Sequence, residues 1–369
     1  MDGDRQCGDA VRMPAKRKAS TMADTSADTS LHVEELALSQ EWDKTFAQSD
    51  LVDHTKVSFP NRFGITLAAD IYIPKTAAPK GGYDALAVCG PFGAVKEQAS
   101  GLYAQTMAER GFLTLAFDPS FTGESAGQPR YMNSPDISTE DFEAAVDYLS
   151  CRDDVNPSRI GIIGICGWGG ISLNATAADT RIRACAAITM YDMCRVTANG
   201  YFDADDNAEA RTKLRHALSE QRTEDFRSGS YALAGGVVDP LPADAPQFVQ
   251  DYYAYYKQPR GYHPRSLNSN GGWAITSSIS WANARFMHYI GEIASPVMVM
   301  HGEKAHSLYM GKSAYEALAA GTHPENKKLV VVPGAVHCDL YDGGPEATNG
   351  KGGFIPWDTL VDFFQKGLA

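Results

Sequence analysis

A cysteine inside a glycine-rich segment is the residue whose type and setting best suit chemistry. The run Ile160-Gly-Ile-Ile-Gly-Ile-Cys166-Gly-Trp-Gly-Gly-Ile is apolar and then rich in glycine, and a helix-forming run follows from Ser172. A sharp turn from a strand into a helix, with small neighbours, exposes a nucleophile at the edge of a sheet. We therefore predict that Cys166 is a nucleophile whose thiolate is favoured by the helix N-terminus. The alternative is an inert buried cysteine.

His337 is the predicted general base. It follows the apolar run Leu329-Val-Val-Val and lies C-terminal to the cysteine, as the chain order nucleophile, acid, histidine requires. A histidine that only caps a turn is the alternative. Glu303 and Asp192 both follow apolar runs, and either carboxylate could orient the imidazole through Nδ1 or merely order its own loop. The sequence leaves this choice open and ranks Glu303 first.

Two backbone N–H groups are expected to bind the oxyanion of an acyl-transfer reaction. One belongs to Gly167, the residue after the nucleophile, and the other to the loop after the third strand. In that loop Pro91 has no N–H, so Phe92 is the predicted donor and Gly93 the reserve. No GxGxxG motif is present, and the two histidines of His301-Gly-Glu-Lys-Ala-His306 miss the HExxH spacing by one residue. We therefore predict no cofactor and no metal ion.

The elements that would position these residues alternate along the chain. After two strands that suit a hairpin around Asn61-Arg-Phe-Gly, six short apolar runs are separated by helical segments. Such a pattern predicts a parallel sheet that is covered by helices on both faces. The apolar runs begin at Ala85, Leu113, Ile160, Ala184, Val297 and Leu329, and the helices are expected around 97–110, 139–150, 169–178, 312–320 and 357–367. The predicted fold class is α/β, with an eight-stranded, mostly parallel sheet.

Two segments interrupt this order. Residues 1–40 lack periodic apolar residues and are predicted to be a disordered tail. Residues 193–295 separate two strands and are too long for a simple loop, so we predict an inserted helical lid. Within the lid Phe248, Tyr252, Tyr255 and Tyr256 share one helix face, which could pack on the core or cover an apolar cavity. The predicted core is then 41–192 together with 296–369.

Composition limits the partners and the compartment. The 369 residues carry 33 Lys and Arg against 45 Asp and Glu, a net charge of −12, which argues against a nucleic acid or an anionic membrane. Neither a signal peptide nor an apolar run of membrane-spanning length is apparent. The seven cysteines include no CxxC pair and suggest a reducing compartment, so the predicted location is the cytoplasm.

Several segments together resemble the α/β-hydrolase superfamily over about residues 50–369. They are Gly-Pro-Phe-Gly-Ala-Val-Lys-Glu-Gln (90–98), Ala-Phe-Asp-Pro-Ser-Phe-Thr-Gly-Glu-Ser (116–125), Gly-Ile-Cys-Gly-Trp-Gly-Gly (164–170), His-Gly-Glu (301–303) and Pro-Gly-Ala-Val-His (333–337). The cysteine elbow resembles the dienelactone-hydrolase-like branch, which includes fungal hydrolases and acyltransferases of polyketide chains. The resemblance implies the α/β-hydrolase fold, with Cys166 as nucleophile, His337 as base and Phe92 and Gly167 as oxyanion donors.

This chain departs from the family pattern at two positions. Trp168 stands where the elbow usually has its second glycine, so Gly169 would have to take that role, and Ala305 replaces the usual acid. The predicted function is acyl hydrolysis or transfer from a thioester or ester, including release of a polyketide chain. The predicted partners are a small-molecule acyl substrate, free or on a carrier protein, and a second copy in a homodimer. The alternatives are a small-lactone hydrolase, a cyclase and a catalytically silent ligand-binding protein.

Overall fold

The computed structural model describes residues 29–369 of the chain. Residues His32–Ala369 form one compact unit, which holds the sheet, its helices and the candidate site. Most of the predicted tail, residues 1–28, lies outside the described residues. In its last part the N–H of Glu34 donates to the Thr66 hydroxyl at 2.9 Å, and that of Ser39 donates to the Glu124 carboxylate at 2.6 Å. These residues are therefore held against the sheet domain.

The eight-stranded, mostly parallel sheet expected from the sequence is confirmed. Strand β1 pairs with β2, and β2 with β4, in antiparallel fashion, whereas all the other pairs are parallel. The order across the sheet is β1-β2-β4-β3-β5-β6-β7-β8. The strands are β1 (Val52–Pro60), β2 (Thr66–Pro74), β3 (Tyr83–Cys89), β4 (Leu113–Phe117), β5 (Val155–Ile165), β6 (Ile182–Ile188), β7 (Val297–Gly302) and β8 (Lys327–Val332).

Helices cover both faces of the sheet, and each face has its own apolar core. Helices α2, α3 and α8 contribute to one core, and α1 and α10 contribute to the other. Side chains of successive strand residues alternate between these two cores, which explains the near-continuous apolar strands. The helices are α1 (Ala99–Ala108), α2 (Pro135–Ser150), α3 (Gly167–Ala178), α4 (Met193–Asn199), α5 (Ala208–Ser228), α6 (Gln247–Tyr256), α7 (Ser278–Asn283), α8 (Leu308–Ala319), α9 (Asp339–Asp342) and α10 (Trp357–Gly367).

The segment between β6 and β7 forms four α-helices, α4 to α7, and three short 3₁₀ helices. Its polar first half folds as the long helix α5, which begins where the Asn207 side chain accepts the Ala210 N–H and ends at Gly229 in the left-handed region. Its aromatic second half begins with helix α6, which contains Phe248, Tyr252, Tyr255 and Tyr256 at the helical spacing noted in the sequence. No helix of the described residues is long and apolar enough to cross a membrane.

Candidate active site

Cys166 lies in the tight turn between the central strand β5 and helix α3. Its backbone has φ 59° and ψ −126°, a conformation that costs a non-glycine residue about 1–3 kcal/mol. Three backbone hydrogen bonds hold it there. The Cys166 N–H donates to Ile188 O at 2.9 Å, and the Cys166 carbonyl accepts from Gly169 at 2.8 Å and from Tyr191 at 2.9 Å. The strained residue is thus fixed by its own turn and by the neighbouring strand β6.

Two glycines allow this turn to close. A Cβ on Gly164 would meet the carbonyl oxygen of Trp168, and one on Gly169 would meet the Met190 side chain at 2.6 Å. Trp168, at the position of the usual second glycine, is buried with its ring edge-on to Phe117 and Phe142. The close approach to the sheet therefore falls to Gly169, and Trp168 packs into the core below the turn.

The Cys166 thiol is buried among hydrogen-bond donors. Burial raises its pKa, and the groups that would donate to the thiolate lower it only in part; these are the Tyr341 and Tyr252 hydroxyls and the Gly167 and Phe92 N–H groups. The expectation that the helix N-terminus favours the thiolate is therefore not met, because desolvation outweighs the donors. The thiol needs a base to remove its proton at neutral pH.

His337 lies in the loop after β8 and is 1% exposed. Its Nδ1 is 2.7 Å from the Ser307 hydroxyl and 2.9 Å from the Thr189 hydroxyl, and its Nε2 is 2.9 Å from the Tyr341 hydroxyl. Burial, together with the neighbouring His306 and His301, lowers its pKa well below the ordinary value. The imidazole is thus neutral at pH 7 and can accept a proton.

Neither carboxylate that the sequence offers is hydrogen-bonded to His337. The exposed Glu303 accepts the Gly334 N–H at 2.8 Å. Asp192 accepts the Arg195 N–H at 2.9 Å and begins helix α4 as its N-cap. The predicted orienting role of Glu303 or Asp192 is therefore corrected: each carboxylate orders its own loop or helix, and hydroxyl groups take the Nδ1 side of the imidazole.

The loop carrying the predicted oxyanion donor Phe92 is held by the insertion. The Asn268 side-chain amide donates to Phe92 O at 2.8 Å, its backbone N–H donates to Gly93 O at 3.1 Å, and the Ser266 hydroxyl donates to the same oxygen at 3.0 Å. The N–H groups of Phe92 and Gly167 both reach the Cys166 sulfur. The structure thus brings Phe92 and Gly167 to Cys166, whereas His337 is linked to the thiol through Tyr341.

A buried ionic cluster lies behind the same loop. The Lys96 ammonium is 2.7 Å from Glu97, 2.9 Å from Asp118 and 2.6 Å from Glu124, and Arg265 of the insertion pairs with Glu97 at 2.8 Å. Among the described residues these three carboxylates are the one group that could hold a metal ion. The Lys96 ammonium bonds all three carboxylates, and Lys56 pairs with Glu124 at 2.6 Å, so together with Arg265 three cations of the protein face the three carboxylates.

An apolar cavity of about 400 Å³ opens onto Cys166. Helix α6 supplies Phe248, Tyr252 and Tyr256 to its lining, while Tyr255 packs edge-on against Tyr341. No charged side chain is among the described lining residues. The lining consists of Phe92, Cys166, Tyr191, Met193, Val196, Tyr201, Gly235, Gly236, Val237, Val238, Phe248, Val249, Tyr252, Tyr256, Asn268, Trp273 and Tyr341. A larger cleft of about 950 Å³, beside residues 34–39, does not include Cys166.

The hydroxyl groups around the site were not anticipated from the sequence. Tyr341 follows His337 by four residues, Thr189 directly follows β6, and Ser307 precedes α8. The position of Thr189 at the carboxyl end of a strand is a signal, because functional side chains collect there in open α/β sheets. Residue type gave no signal, since serine, threonine and tyrosine are common in ordinary turns.

Residues 92–344 match a family model described as alpha/beta hydrolase fold. The chain therefore belongs to the α/β-hydrolase family. The protein PA2218 of Pseudomonas aeruginosa is 51% identical over 354 residues, which cover 95% of this chain and 91% of that protein. Its crystal structure matches with a TM-score of 0.85, over 91% of this chain and all of the solved chain.

Two fungal proteins with named activities are more distant relatives. The thiohydrolase aneE of Aspergillus aculeatus is 31% identical over 130 residues, or 35% of this chain and 39% of that protein. The polyketide transferase claH of Penicillium crustosum is 30% identical over 133 residues, or 36% of this chain and 42% of that protein. Both matches span less than half of either chain.

Proposed function

We propose that the protein is an acyl hydrolase or acyltransferase that forms a thioester on Cys166. The observation that carries the proposal is the position of the thiol, in a strained turn and within reach of the Gly167 and Phe92 N–H groups. Two N–H groups that converge on a nucleophile are suited to bind the oxygen of the carbonyl it attacks.

Proton removal would run through Tyr341. Its hydroxyl lies 2.9 Å from Nε2 of His337 and near enough to the Cys166 sulfur to lower the pKa of the thiol. The thiol proton would pass to the Tyr341 oxygen as the phenol proton moves to Nε2. An Nδ1–H bonded to Ser307 or Thr189 would fix the required tautomer, the role that a carboxylate has in other nucleophile–histidine sites.

The chemical step then follows. The thiolate adds to the acyl carbonyl, and the oxyanion is bound by Phe92 and Gly167. As the intermediate collapses, the leaving thiolate or alkoxide takes the proton back from His337 through Tyr341. The acyl group stays on Cys166 until water or an alcohol removes it. A thioester substrate makes the first transfer nearly isoenergetic, because one thioester replaces another.

The cavity favours a neutral, apolar acyl group. Its described lining is aromatic and aliphatic, apart from tyrosine hydroxyls and Asn268, and includes no charged side chain. The name of the thiohydrolase aneE supports thioester chemistry, and that of the polyketide transferase claH supports a polyketide chain as the acyl group. Rates with a carrier-bound thioester and with the matching N-acetylcysteamine thioester would show whether a carrier protein is needed.

The test is intact-mass detection of a butyryl adduct after brief reaction with the N-acetylcysteamine thioester of butyrate. We expect the adduct in the native protein and in a Cys151→Ala control, since Cys151 is exposed and remote from the cavity lining. It should be absent in Cys166→Ala. Turnover that persists unchanged in Cys166→Ala would refute the proposal.

One observation favours a second function, ligand binding without turnover. No carboxylate of the described residues hydrogen-bonds His337, and its pKa is far below the ordinary value. A base this weak could leave the thiol unreactive toward esters. Binding of a neutral ester to the native protein without any adduct on Cys166 would support this second function.

A further inference from the structure

A second hydrogen-bonded chain leads from the cavity to another histidine. The Tyr252 and Tyr191 hydroxyls are 2.9 Å apart, and the Tyr191 hydroxyl also bonds Nε2 of His306. Tyr252, Tyr191 and Cys166 line the same cavity, and the Tyr252 hydroxyl is near enough to the sulfur to lower the pKa of the thiol. The mechanism through Tyr341 and His337 uses none of these three residues.

The chain is held in place at its far end. His306 follows β7, and its ring stacks on Phe248 of α6, with centroids 4.5 Å apart and planes at 25°. The rings of His306 and His337 are 5.0 Å apart. Tyr252 comes from the insertion, whereas Tyr341 comes from α9 of the core. The thiol therefore meets hydroxyls from two different elements, each linked to its own histidine.

In the resting protein His306 is neutral and the two tyrosines are protonated, so His306 can accept a proton through them. Burial lowers the pKa of His306 to about 4, so its imidazole is neutral at pH 7. Burial raises the pKa values of Tyr252 and Tyr191 well above the ordinary value, so both keep their protons. With Nε2 unprotonated, Tyr191 can donate to His306, Tyr252 can donate to Tyr191, and the Tyr252 oxygen can accept from a group in the cavity.

We propose that Tyr252 is a second catalytic acid–base residue, which takes the proton of the water or alcohol that removes the acyl group from Cys166. Tyr191 and His306 act through it, as relay and as final proton acceptor. This inference rests on the proposed function, because it concerns the breakdown of the acyl-enzyme. It assigns the two histidines to different half-reactions, with His337 serving acylation and His306 serving deacylation.

The proposed step is balanced in atoms and protons. The oxygen of water or an alcohol forms a bond to the acyl carbon while its proton passes to Tyr252, that of Tyr252 to Tyr191, and that of Tyr191 to Nε2 of His306. The bond between the acyl carbon and the Cys166 sulfur then breaks. The proton returns from His306 along the same chain to the sulfur, which leaves an acid or ester and a neutral thiol.

Rapid mixing of the full-length protein with p-nitrophenyl butyrate separates the two half-reactions. The burst of p-nitrophenol reports acylation, and the following steady rate reports deacylation. In Tyr191→Phe and His306→Gln we expect a burst rate within about twofold of the native value and a steady rate about 100-fold lower, the usual scale of acid–base catalysis. Because deacylation is slowed, more of the butyryl adduct on Cys166 should accumulate in these two variants than in the native protein.

Two further measurements separate proton transfer from a structural effect. The solvent deuterium isotope effect on the steady rate should decrease in Tyr191→Phe, which keeps the ring but cannot relay a proton. A Tyr309→Phe control should leave both phases unchanged, because that hydroxyl accepts the Phe202 N–H at 3.0 Å and lies outside the cavity lining.

Three results would overturn the inference. The first is an unchanged steady rate in both variants, and the second is an equal loss of burst and steady rates in both, which would indicate a structural role. The third is a native protein that forms no adduct on Cys166, and only this result would overturn the proposed function as well.

Discussion

The Tyr341 hydroxyl lies 2.9 Å from Nε2 of His337 and is also near enough to the Cys166 sulfur to lower the pKa of that thiol. A tyrosine thus stands between the nucleophile and its base. Residues four apart on a helical turn face the same way, and His337 and Tyr341 have this spacing across the start of α9. The burial of Tyr341 raises its pKa well above the ordinary value, so the phenol stays protonated and can relay a proton.

Removing this hydroxyl should disable acylation. In Tyr341→Phe, His337 has no bonded route to the thiol, and we expect the burst rate with p-nitrophenyl butyrate to fall about 100-fold. Tyr262→Phe is the matched control, because the Tyr262 hydroxyl bonds Asn270 on the exposed surface. A native burst rate in Tyr341→Phe would show that His337 reaches the thiol directly in the working enzyme.

The Nδ1 side of His337 should tolerate the loss of one hydroxyl but not of two. Ser307 and Thr189 lie 2.7 and 2.9 Å from this atom, so either can accept an Nδ1–H. We expect Ser307→Ala and Thr189→Val each to lower kcat by less than about tenfold, and the double variant to lower it by more than the product of the two. If the loss of kcat in the double variant equals the product of the two single losses, the two hydroxyls act independently and the shared role is contradicted.

The fold could be predicted from the sequence more fully than the candidate site. The near-continuous apolar strands predict the parallel sheet, and the glycine-flanked Cys166 predicts the turn, because few other arrangements satisfy those local constraints. The groups around His337 depend on which way side chains turn after the strands end. Glu303 and Asp192 have the right residue type at plausible positions, yet backbone N–H groups of Gly334 and Arg195 bind them instead. Pattern alone does not reveal that competition.

The Cys166 thiol should react slowly with iodoacetamide at pH 7. Its pKa is raised by burial, so the thiolate is scarce and its population increases as the pH rises toward that value. Peptide mass spectrometry of the same sample reports the exposed Cys151 as an internal reference. We expect Cys151 to be modified first at pH 7 and the Cys166 rate to climb steadily up to pH 9. If Cys166 is modified faster than Cys151 at pH 6, the helix N-terminus lowers the pKa of the Cys166 thiol more than burial raises it.

Acid should destabilise the fold through buried neutral histidines. Burial and the nearby His306 lower the pKa of His301 to about 3, and its ring nitrogens have no hydrogen-bond partner among the described residues. Below pH 6.5 the unfolded chain binds a proton at His301 that the folded protein does not. The free energy of unfolding should therefore fall with decreasing pH, by about 1.4 kcal/mol per pH unit from this group, between pH 6.5 and about 3.

Replacing His301 with leucine should reduce that slope. Urea titrations at pH 7, 6, 5 and 4 would measure the free energy of unfolding of the native protein, of His301→Leu and of a His216→Gln control, in which the replaced histidine is exposed on α5. The control should keep the native slope. An unchanged slope in His301→Leu would show that the side chain becomes protonated within the fold.

Asn268 should position the Phe92 oxyanion donor rather than bind substrate strongly. Its amide donates at 2.8 Å to Phe92 O, which lies in the peptide unit next to the one that carries the Phe92 N–H, and so restrains the loop at the donor. Loss of one oxyanion donor costs about 100- to 1,000-fold in kcat, and misplacing one should cost less. We expect Asn268→Ala to lower kcat about tenfold with little change in KM, because the oxyanion exists only in the transition state and intermediate.

In Asn270→Ala, which alters a neighbouring amide bonded to Tyr262, kcat should stay native. A raised KM with native kcat in Asn268→Ala would instead place this side chain among the groups that bind the acyl chain.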